Sequence, residues 1–150
     1  MPPSRNRPPP DPFDLAVRLL GLRPHSELEL RRKLRRKGCA AEAIEDAVAR
    51  ARRLGYLDDA AFARALVAHR SRTRGLSVVA AELAAKGINR GLARDALGVV
   101  DHSSQVEAAR RLAARSSRTD RQVVAARLLR RGFATDVIRE ALDPELDPSW

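Results

Sequence analysis

The chain contains one helical segment in three copies, and this repetition limits its fold more than any other feature. The copies align without a gap and span Leu34–Val48, Leu83–Leu97 and Leu128–Leu142. Each begins with a leucine and has a glycine four residues later, at Gly38, Gly87 and Gly132. A glycine between two amphipathic runs is typical of a helix that ends in a left-handed cap and is followed by a second helix. The repetition therefore predicts a chain of similar helical units.

Each unit is predicted to contain three helices. The helix before each repeated glycine has a plausible start, namely Ser26 with Glu29 as a capping box, Gly75, and Asp120. Another amphipathic segment precedes each start, over 13–22, 59–74 and 105–115. A three-helix unit of this size is too small to be stable alone, so neighbouring units are expected to share a core.

The predicted organisation is three repeats, 13–56, 57–100 and 101–143, between a disordered Pro-rich tail, 1–12, and a flexible tail, 144–150. A rigid corner joins the first two repeats. There Gly55 ends a helix, Asp58 or Asp59 caps the next one, and an apolar stripe of Phe62, Leu66 and His69 follows.

The charge of the chain points to a polyanionic partner. Lys and Arg number 29 against 19 Asp and Glu, for a formal net charge of +10. Such an excess favours nucleic acid or an acidic protein surface as the partner. The single cysteine excludes an intrachain disulfide framework and a Cys-rich zinc site. Without an apolar run of membrane-spanning length or a signal peptide, the sequence predicts a cytoplasmic protein with no membrane partner.

The basic residues recur at similar places in the repeats, and we predict that they form a contact surface. The candidates are Arg31, Arg32, Arg35, Arg36, Lys37, Arg70, Arg72, Arg74, Arg110, Arg111, Arg127, Arg130 and Arg131. Stacked repeats would align them along one side of the protein. Two alternatives stay open, since a charged helix face can serve only solubility and the preference for Arg over Lys can reflect genome composition.

No catalytic, metal or cofactor site is predicted. His25 is assigned to the start of a helix, His69 to a half-buried packing position, and His102 to a loop between units. No pair of them has metal-ligand spacing. Cys39 shares an alignment column with Ile88 and Phe133, so it is interpreted as a small hydrophobic residue rather than a nucleophile.

Three stretches, HSELELRRKLRRKG, LGYLDDAAFARALVAHRSRTRG and LLRRGFATDVIREAL, resemble the RecX family of bacterial modulators of the RecA recombinase. The resemblance covers nearly all of 13–142. It implies an all-α fold of three tandem three-helix repeats in an elongated, curved array. It also implies a non-enzymatic regulator that lies in the groove of the RecA filament on DNA and restrains strand exchange, ATP hydrolysis and the co-protease activity of the SOS response.

A second class of function stays open beside this one, a direct DNA-binding or architectural helical protein. A chain this basic is expected to bind DNA weakly, without sequence preference, and through phosphates. The basic helices lack the Asn or Gln expected of base-reading residues, and aromatic side chains for stacking on single strands are scarce. We expect a monomer whose partner is the recombinase filament.

Overall fold

The computed structural model describes residue 8 and the ranges 10–117 and 120–143. Within them the regular structure is helical, and the helices are α1 (Pro12–Leu22), α2 (Glu27–Arg36), α3 (Ala41–Arg53), α4 (Asp59–Arg70), α5 (Leu76–Ala85), α6 (Arg90–Leu97), α7 (His102–Ala114), α8 (Arg121–Arg130) and α9 (Thr135–Ala141). The predicted all-α class with tandem three-helix repeats is confirmed. The tail predicted over 144–150, and most of the one over 1–12, lie outside the described residues, whereas Pro12 belongs to α1.

The chain divides into two compact units, with the boundary between Phe62 and Ala63. Unit 1 holds α1, α2 and α3, and all three pack against one another. Their core consists of Ala16, Leu30, Leu34, Ile44, Ala47, Val48, Ala51 and Leu57. The guanidinium of Arg50 on α3 lies 3.9 Å from the centroid of the Phe13 ring on α1, which adds a cation–π contact to the apolar packing.

Unit 2 contains α5 to α9 and most of α4. Helices α7, α8 and α9 pack together around Phe133, and α5 packs on α6. The remaining core of these last three helices is Val106, Ala108, Ala109, Val124, Leu128, Val137 and Ile138. Other buried apolar residues of unit 2 are Ala63, Val67, Val79, Leu83, Ile88 and Ala96.

The glycines that end the repeated helices adopt the predicted conformation. Gly38, Gly87 and Gly132 have φ angles of +87°, +75° and +92°. The next residue in each copy donates its N–H to the carbonyl of the repeated leucine: Cys39 to Leu34 at 3.2 Å, Ile88 to Leu83 at 3.1 Å and Phe133 to Leu128 at 3.2 Å. These bonds close the helix ends in a Schellman arrangement, so the cap prediction is confirmed.

The predicted helix starts are also confirmed. Ser26 Oγ accepts from the Glu29 N–H at 3.2 Å, and the Glu29 carboxylate accepts from the Ser26 N–H at 3.2 Å, which completes the capping box. Asp120 caps α8 through the Gln122 N–H at 2.9 Å. Asp58 caps α4 through the Ala61 N–H at 3.0 Å. Asp59 instead accepts from the Glu27 N–H at 2.9 Å, which ties the start of α4 to the start of α2.

Gly75 begins α5 as predicted, but its backbone also lies against the end of α8. Its N–H donates to the Arg131 carbonyl at 2.9 Å, and Ser77 Oγ donates to the Gly132 carbonyl at 2.8 Å. A Cβ on Gly75 would lie 2.0 Å from the Gly132 carbonyl carbon. This approach of two backbones joins the helices predicted for the second and third repeats, and it requires glycine at both positions.

A buried amide strengthens the same connection. Gln105 on α7 is 3% exposed, and its Nε2 donates to the carbonyls of Ser71 at 3.2 Å and Arg74 at 3.4 Å. These carbonyls belong to the turn after α4. The turn explains why α4 ends at Arg70 and not at Arg74 as predicted.

Two predictions for single histidines were wrong. The buried side chains of α4 are Ala63 and Val67, whereas Phe62 and Leu66 are only partly buried and His69 is exposed. Small residues four apart therefore form the inward face of α4, where the sequence suggested the larger ones. His102 lies in the first turn of α7 rather than in a loop, because Asp101 caps that helix through the Ser104 N–H at 2.8 Å.

Candidate basic interface

Helix α2 presents the densest group of exposed cations in unit 1. Leu30 and Leu34 point into the core, and both are fully buried. The opposite side exposes Arg32, Arg35 and Arg36, whose spacing of three and four residues places them on one helix face, with Lys37 exposed at the C-cap. Positive charge in the last turn is also favourable for the helix because it faces the negative end of the macrodipole.

Arg31, on the same helix, serves the packing of unit 1. Its Nη1 lies 3.3 Å from Glu27 on α2, and its Nε lies 2.9 Å from Glu45 on α3. Arg52 of α3 also forms a bidentate pair with Glu27, at 2.7 and 2.9 Å. The Arg52 hydrogen bond holds the pKa of Glu27 below its usual value, with Arg31 as a smaller cause. The charge of Arg31 is therefore partly offset within the protein.

Several of the predicted basic residues of unit 2 bind other parts of the same unit. Arg70 on α4 is paired with Glu82 on α5 through bonds of 3.0 to 3.1 Å. Arg110 Nη2 donates to the Glu140 carbonyl at 3.4 Å, and Arg131 Nη1 donates to the Thr73 carbonyl at 3.1 Å. These arginines connect elements of the unit. Arg131 is also exposed to solvent, as are the predicted residues Arg72, Arg74, Arg111, Arg127 and Arg130.

Arg72 and Arg111 lie together although they are distant in sequence. The Nη2 of Arg111 on α7 donates to the Arg72 carbonyl at 3.4 Å, and both residues line one cleft of unit 2. Arg127 on α8 donates from its Nη1 to Ser116 Oγ at 3.4 Å. That the basic residues of both units align along one side of the protein stays a prediction.

His102 has two carboxylate neighbours that the sequence did not predict. Its Nε2 lies 2.6 Å from Glu140, and its Nδ1 lies 3.8 Å from Asp136. Both acidic residues are on α9, four residues apart and therefore on one face. The hydrogen bond to Glu140 is the main cause that raises the pKa of His102 above 6.5, and Asp136 adds to it. Only the spacing of the two carboxylates was visible in the sequence.

We expect a nuclear magnetic resonance titration of the His102 ring to show a midpoint above 6.5, and Glu140→Gln to move it back toward that value. Because the folded pKa is raised, the pair stabilises the protein fully below the unfolded pKa, and this contribution is lost as pH rises through the folded pKa. Glu107→Gln on α7 is the control. An equal shift in both variants would contradict the assignment to Glu140.

His25 and Cys39 occupy structural positions, as predicted. His25 is 3% exposed just before α2, with its Nδ1 2.8 Å from the Arg23 carbonyl. Burial lowers the pKa of this imidazole below 6.5. Cys39 is partly buried against the core of unit 1, which confirms its interpretation as a small hydrophobic residue.

The described residues contain neither a candidate metal site nor a candidate membrane span. Across 10–117 and 120–143, the His, Cys, Asp and Glu side chains form no group of three that could hold a metal ion. No described helix combines the length and apolar character needed to cross a membrane.

Comparison with known proteins finds one family along the chain. The model of the first three-helix domain of RecX matches residues 13–50, and the model of the second matches residues 58–97. The protein named Regulatory protein RecX of Streptomyces coelicolor is 33% identical over 160 residues, which cover 95% of this chain and 85% of that protein. The protein of the same name from Prosthecochloris aestuarii is 35% identical over 134 residues, which cover 85% of this chain and 89% of the relative.

A solved structure shares the fold. The crystal structure of RecX from Lactobacillus salivarius superposes with a TM-score of 0.79 at 26% sequence identity, and the match covers 91% of this chain and 94% of that one. The chain is therefore similar to RecX proteins in its three-dimensional fold as well as in its sequence.

Proposed function

Because the chain belongs to the RecX family, we propose that it is a non-enzymatic regulator of the RecA recombinase. It binds the RecA filament on DNA, within the helical groove, and lowers the ATPase, strand-exchange and co-protease activities that serve recombinational repair and the SOS response. The observation that carries the proposal is the match to proteins named Regulatory protein RecX over most of the chain. We place this action in the cytoplasm and expect a monomer to perform it.

The exposed cations supply the physical basis of binding in this proposal. A RecA filament on DNA offers phosphates and carboxylates, and guanidinium groups bind both through paired hydrogen bonds. Helix α2 holds three exposed arginines on one face, and unit 2 adds further ones. A protein that acts by occupying a groove needs such contacts along its length and no reacting group. The repeats 13–56, 57–100 and 101–143 are the proposed units of that contact.

The proposal is tested with the cognate recombinase. DNA-dependent ATP hydrolysis and strand exchange are measured as this protein is added at substoichiometric amounts. We expect both rates to fall. If neither rate changes over the full range of additions, the proposed function is wrong.

Arg32→Ala/Arg35→Ala is expected to raise the protein concentration needed for half-inhibition of the recombinase ATPase about threefold or more. Both side chains are exposed on α2 and lie outside the ion pairs of Arg31. Their removal therefore weakens binding to the partner and leaves the core unchanged. Exposed rim charges contribute through several moderate contacts, so a partial effect is expected.

The matched control is Arg18→Ala/Arg53→Ala, which removes the same charge from exposed positions on α1 and α3. It should leave the inhibition curve within about twofold of the original. Equal weakening by both double variants would mean that net charge, and not the α2 face, governs binding.

Direct DNA binding is the second candidate function, and the exposed arginines of α2 favour it as well. The two candidates differ in what they need. An architectural DNA-binding protein binds its sites without recombinase, whereas a filament regulator binds DNA alone only weakly. Sequence-selective binding at physiological salt in the absence of recombinase would support the second candidate and contradict the first.

A further inference from the structure

A cleft in unit 2 combines several cationic side chains with no acidic one. Its volume is about 310 Å³, and its lining consists of His69, Arg72, Thr73, Arg111, Leu112 and Arg115. The first three belong to the end of α4 and the turn after it, and the others to α7 and its C-cap. Three guanidinium-bearing residues around one cavity repel one another in the empty protein, and an anion in the cavity would relieve that repulsion.

Of the four hydrogen bonds that fix the walls of the cleft, three are donated by side chains outside its lining and one by Arg111 within it. Gln105 Nε2 holds the carbonyls of Ser71 and Arg74, and Arg131 Nη1 holds the Thr73 carbonyl at 3.1 Å. Arg111 Nη2 reaches the Arg72 carbonyl at 3.4 Å, which sets the distance between the two walls. A ligand would therefore meet a preformed site and would not have to order the turn.

The lining favours phosphate over other anions. Each guanidinium presents several donors in a plane, and a phosphodiester can accept from more than one arginine at once. The cavity is large for a single carboxylate, and its lining has one aliphatic side chain, Leu112, against three arginines. A nucleic-acid backbone supplies a phosphate with its sugar and repeats the charge beyond the cleft.

We propose that the cleft formed by His69, Arg72, Thr73, Arg111, Leu112 and Arg115 binds a phosphodiester group of the DNA backbone. The inference rests on the proposed function in one respect, since it names the part of the protein that contacts the DNA of the filament. It assigns this DNA contact to unit 2.

The test is DNA binding by fluorescence anisotropy without recombinase, with Arg72→Ala/Arg115→Ala in the full chain. This variant keeps the Arg111 bond, because that bond ends on the Arg72 backbone carbonyl. We expect the association constant for labelled oligo(dT) and for duplex DNA to fall about tenfold at low salt. The slope of log K against log salt should become shallower by about 0.7 on single strands and about 0.9 on duplex for each phosphate that the variant no longer binds.

The matched control is Arg121→Ala/Arg139→Ala, which removes two exposed charges of unit 2 outside the cleft. It should weaken DNA binding less than about twofold. Equal weakening in both double variants, or unchanged binding in the cleft variant, would overturn the proposal. Thermal unfolding of both variants verifies the fold, and Arg115→Gln alone, which is expected to lower the affinity about threefold, replaces the double variant if that one unfolds.

Two competitors identify the source of the anion. Inorganic phosphate should displace labelled DNA only at far higher concentration than unlabelled oligonucleotide does, since one phosphate forms only part of the hydrogen bonds. A polyglutamate of similar length should bind equally well to the original protein and to the cleft variant. If the cleft variant loses polyglutamate binding and keeps DNA binding, the site accepts an acidic protein segment and the proposal is wrong.

The recombinase ATPase assay separates this inference from the proposed function. Reduced DNA affinity in a variant that still inhibits the recombinase would support the cleft and show that inhibition depends on other contacts. Failure of the original protein to inhibit the recombinase would overturn the proposed function and leave the DNA-binding result of the cleft intact.

Discussion

Gly132→Ala is expected to lower the free energy of unfolding of unit 2 by about 3 kcal/mol, whereas Gly38→Ala should cost unit 1 only about 1 kcal/mol. The two glycines occupy the same column of the repeat and have similar φ angles, +92° and +87°. Their surroundings differ. A Cβ on Gly132 would lie 2.5 Å from Val78 Cγ2 and 2.7 Å from the Val78 backbone nitrogen, whereas a Cβ on Gly38 meets nothing within 4 Å.

The larger cost therefore comes from crowding and not from the left-handed backbone alone. The strain of a non-glycine residue at positive φ applies to both variants, and overpacking against α5 applies only to Gly132→Ala. Each kcal/mol shifts the melting temperature of a unit of this size by roughly 4–8 °C. Differential scanning calorimetry of the full chain would measure both changes.

Gly91→Ala is the control within unit 2, because its nearest neighbour would be Asn89 Oδ1 at an ordinary 3.5 Å. Its melting temperature should be unchanged or slightly higher, since alanine is favoured over glycine in a helix. A Gly132→Ala variant that melts no lower than Gly38→Ala would show that α5 moves away from α8 at little cost. The close approach of Gly75 and Gly132 would then not contribute to stability.

The sequence predicts the local part of this arrangement and not the long-range part. Three glycines in one alignment column, each followed by an apolar residue, predicted the caps, and all three caps are present. The caps depend on hydrogen bonds between residues that are close in sequence, so the local sequence is enough to predict them. The approach of Gly75 to Gly132 depends on how α5 meets α8, and no periodic pattern encodes that distance.

In the candidate interface, too, the sequence predicts local features and misses contacts between helices. The sequence located the basic residues of α2, whose other side buries Leu30 and Leu34. It did not predict that Glu45 engages Arg31 or that Glu82 engages Arg70, because each pair joins two different helices. Only the pairing of Glu27 with Arg31 follows from spacing along one helix.

Histidine placement failed for a related reason. His69 was assigned to a half-buried position because it lies on one stripe with Phe62 and Leu66, but the helix buries Ala63 and Val67 instead. Small side chains allow close approach of a neighbouring element, and an alanine-rich sequence contains many equivalent small stripes. Hydrophobic size alone therefore does not identify the buried face of such a helix.

Phe133→Ala is expected to lower the free energy of unfolding of unit 2 by about 3–5 kcal/mol, which is enough to unfold a marginally stable unit. Phe133 is 1% exposed and lies in the core formed by α7, α8 and α9. Its removal takes away the transfer free energy of an aromatic ring and leaves a cavity that the surrounding helices fill only in part. Its N–H also closes the cap of α8, and this bond is independent of the side chain.

Two control variants distinguish the effect of losing the Phe133 ring from the effect of changing this position of the repeat. Cys39→Ala changes the same alignment column in unit 1, where the side chain is small and partly buried, and should cost less than about 1 kcal/mol. Leu129→Ala removes a side chain that is 56% exposed on α8 and should change stability by less than about 0.5 kcal/mol. Urea unfolding followed by circular dichroism would measure all three. If Phe133→Ala and Cys39→Ala cost the same, the residue after the cap glycine stabilises through the cap, and packing of the Phe133 ring in the aliphatic core contributes little.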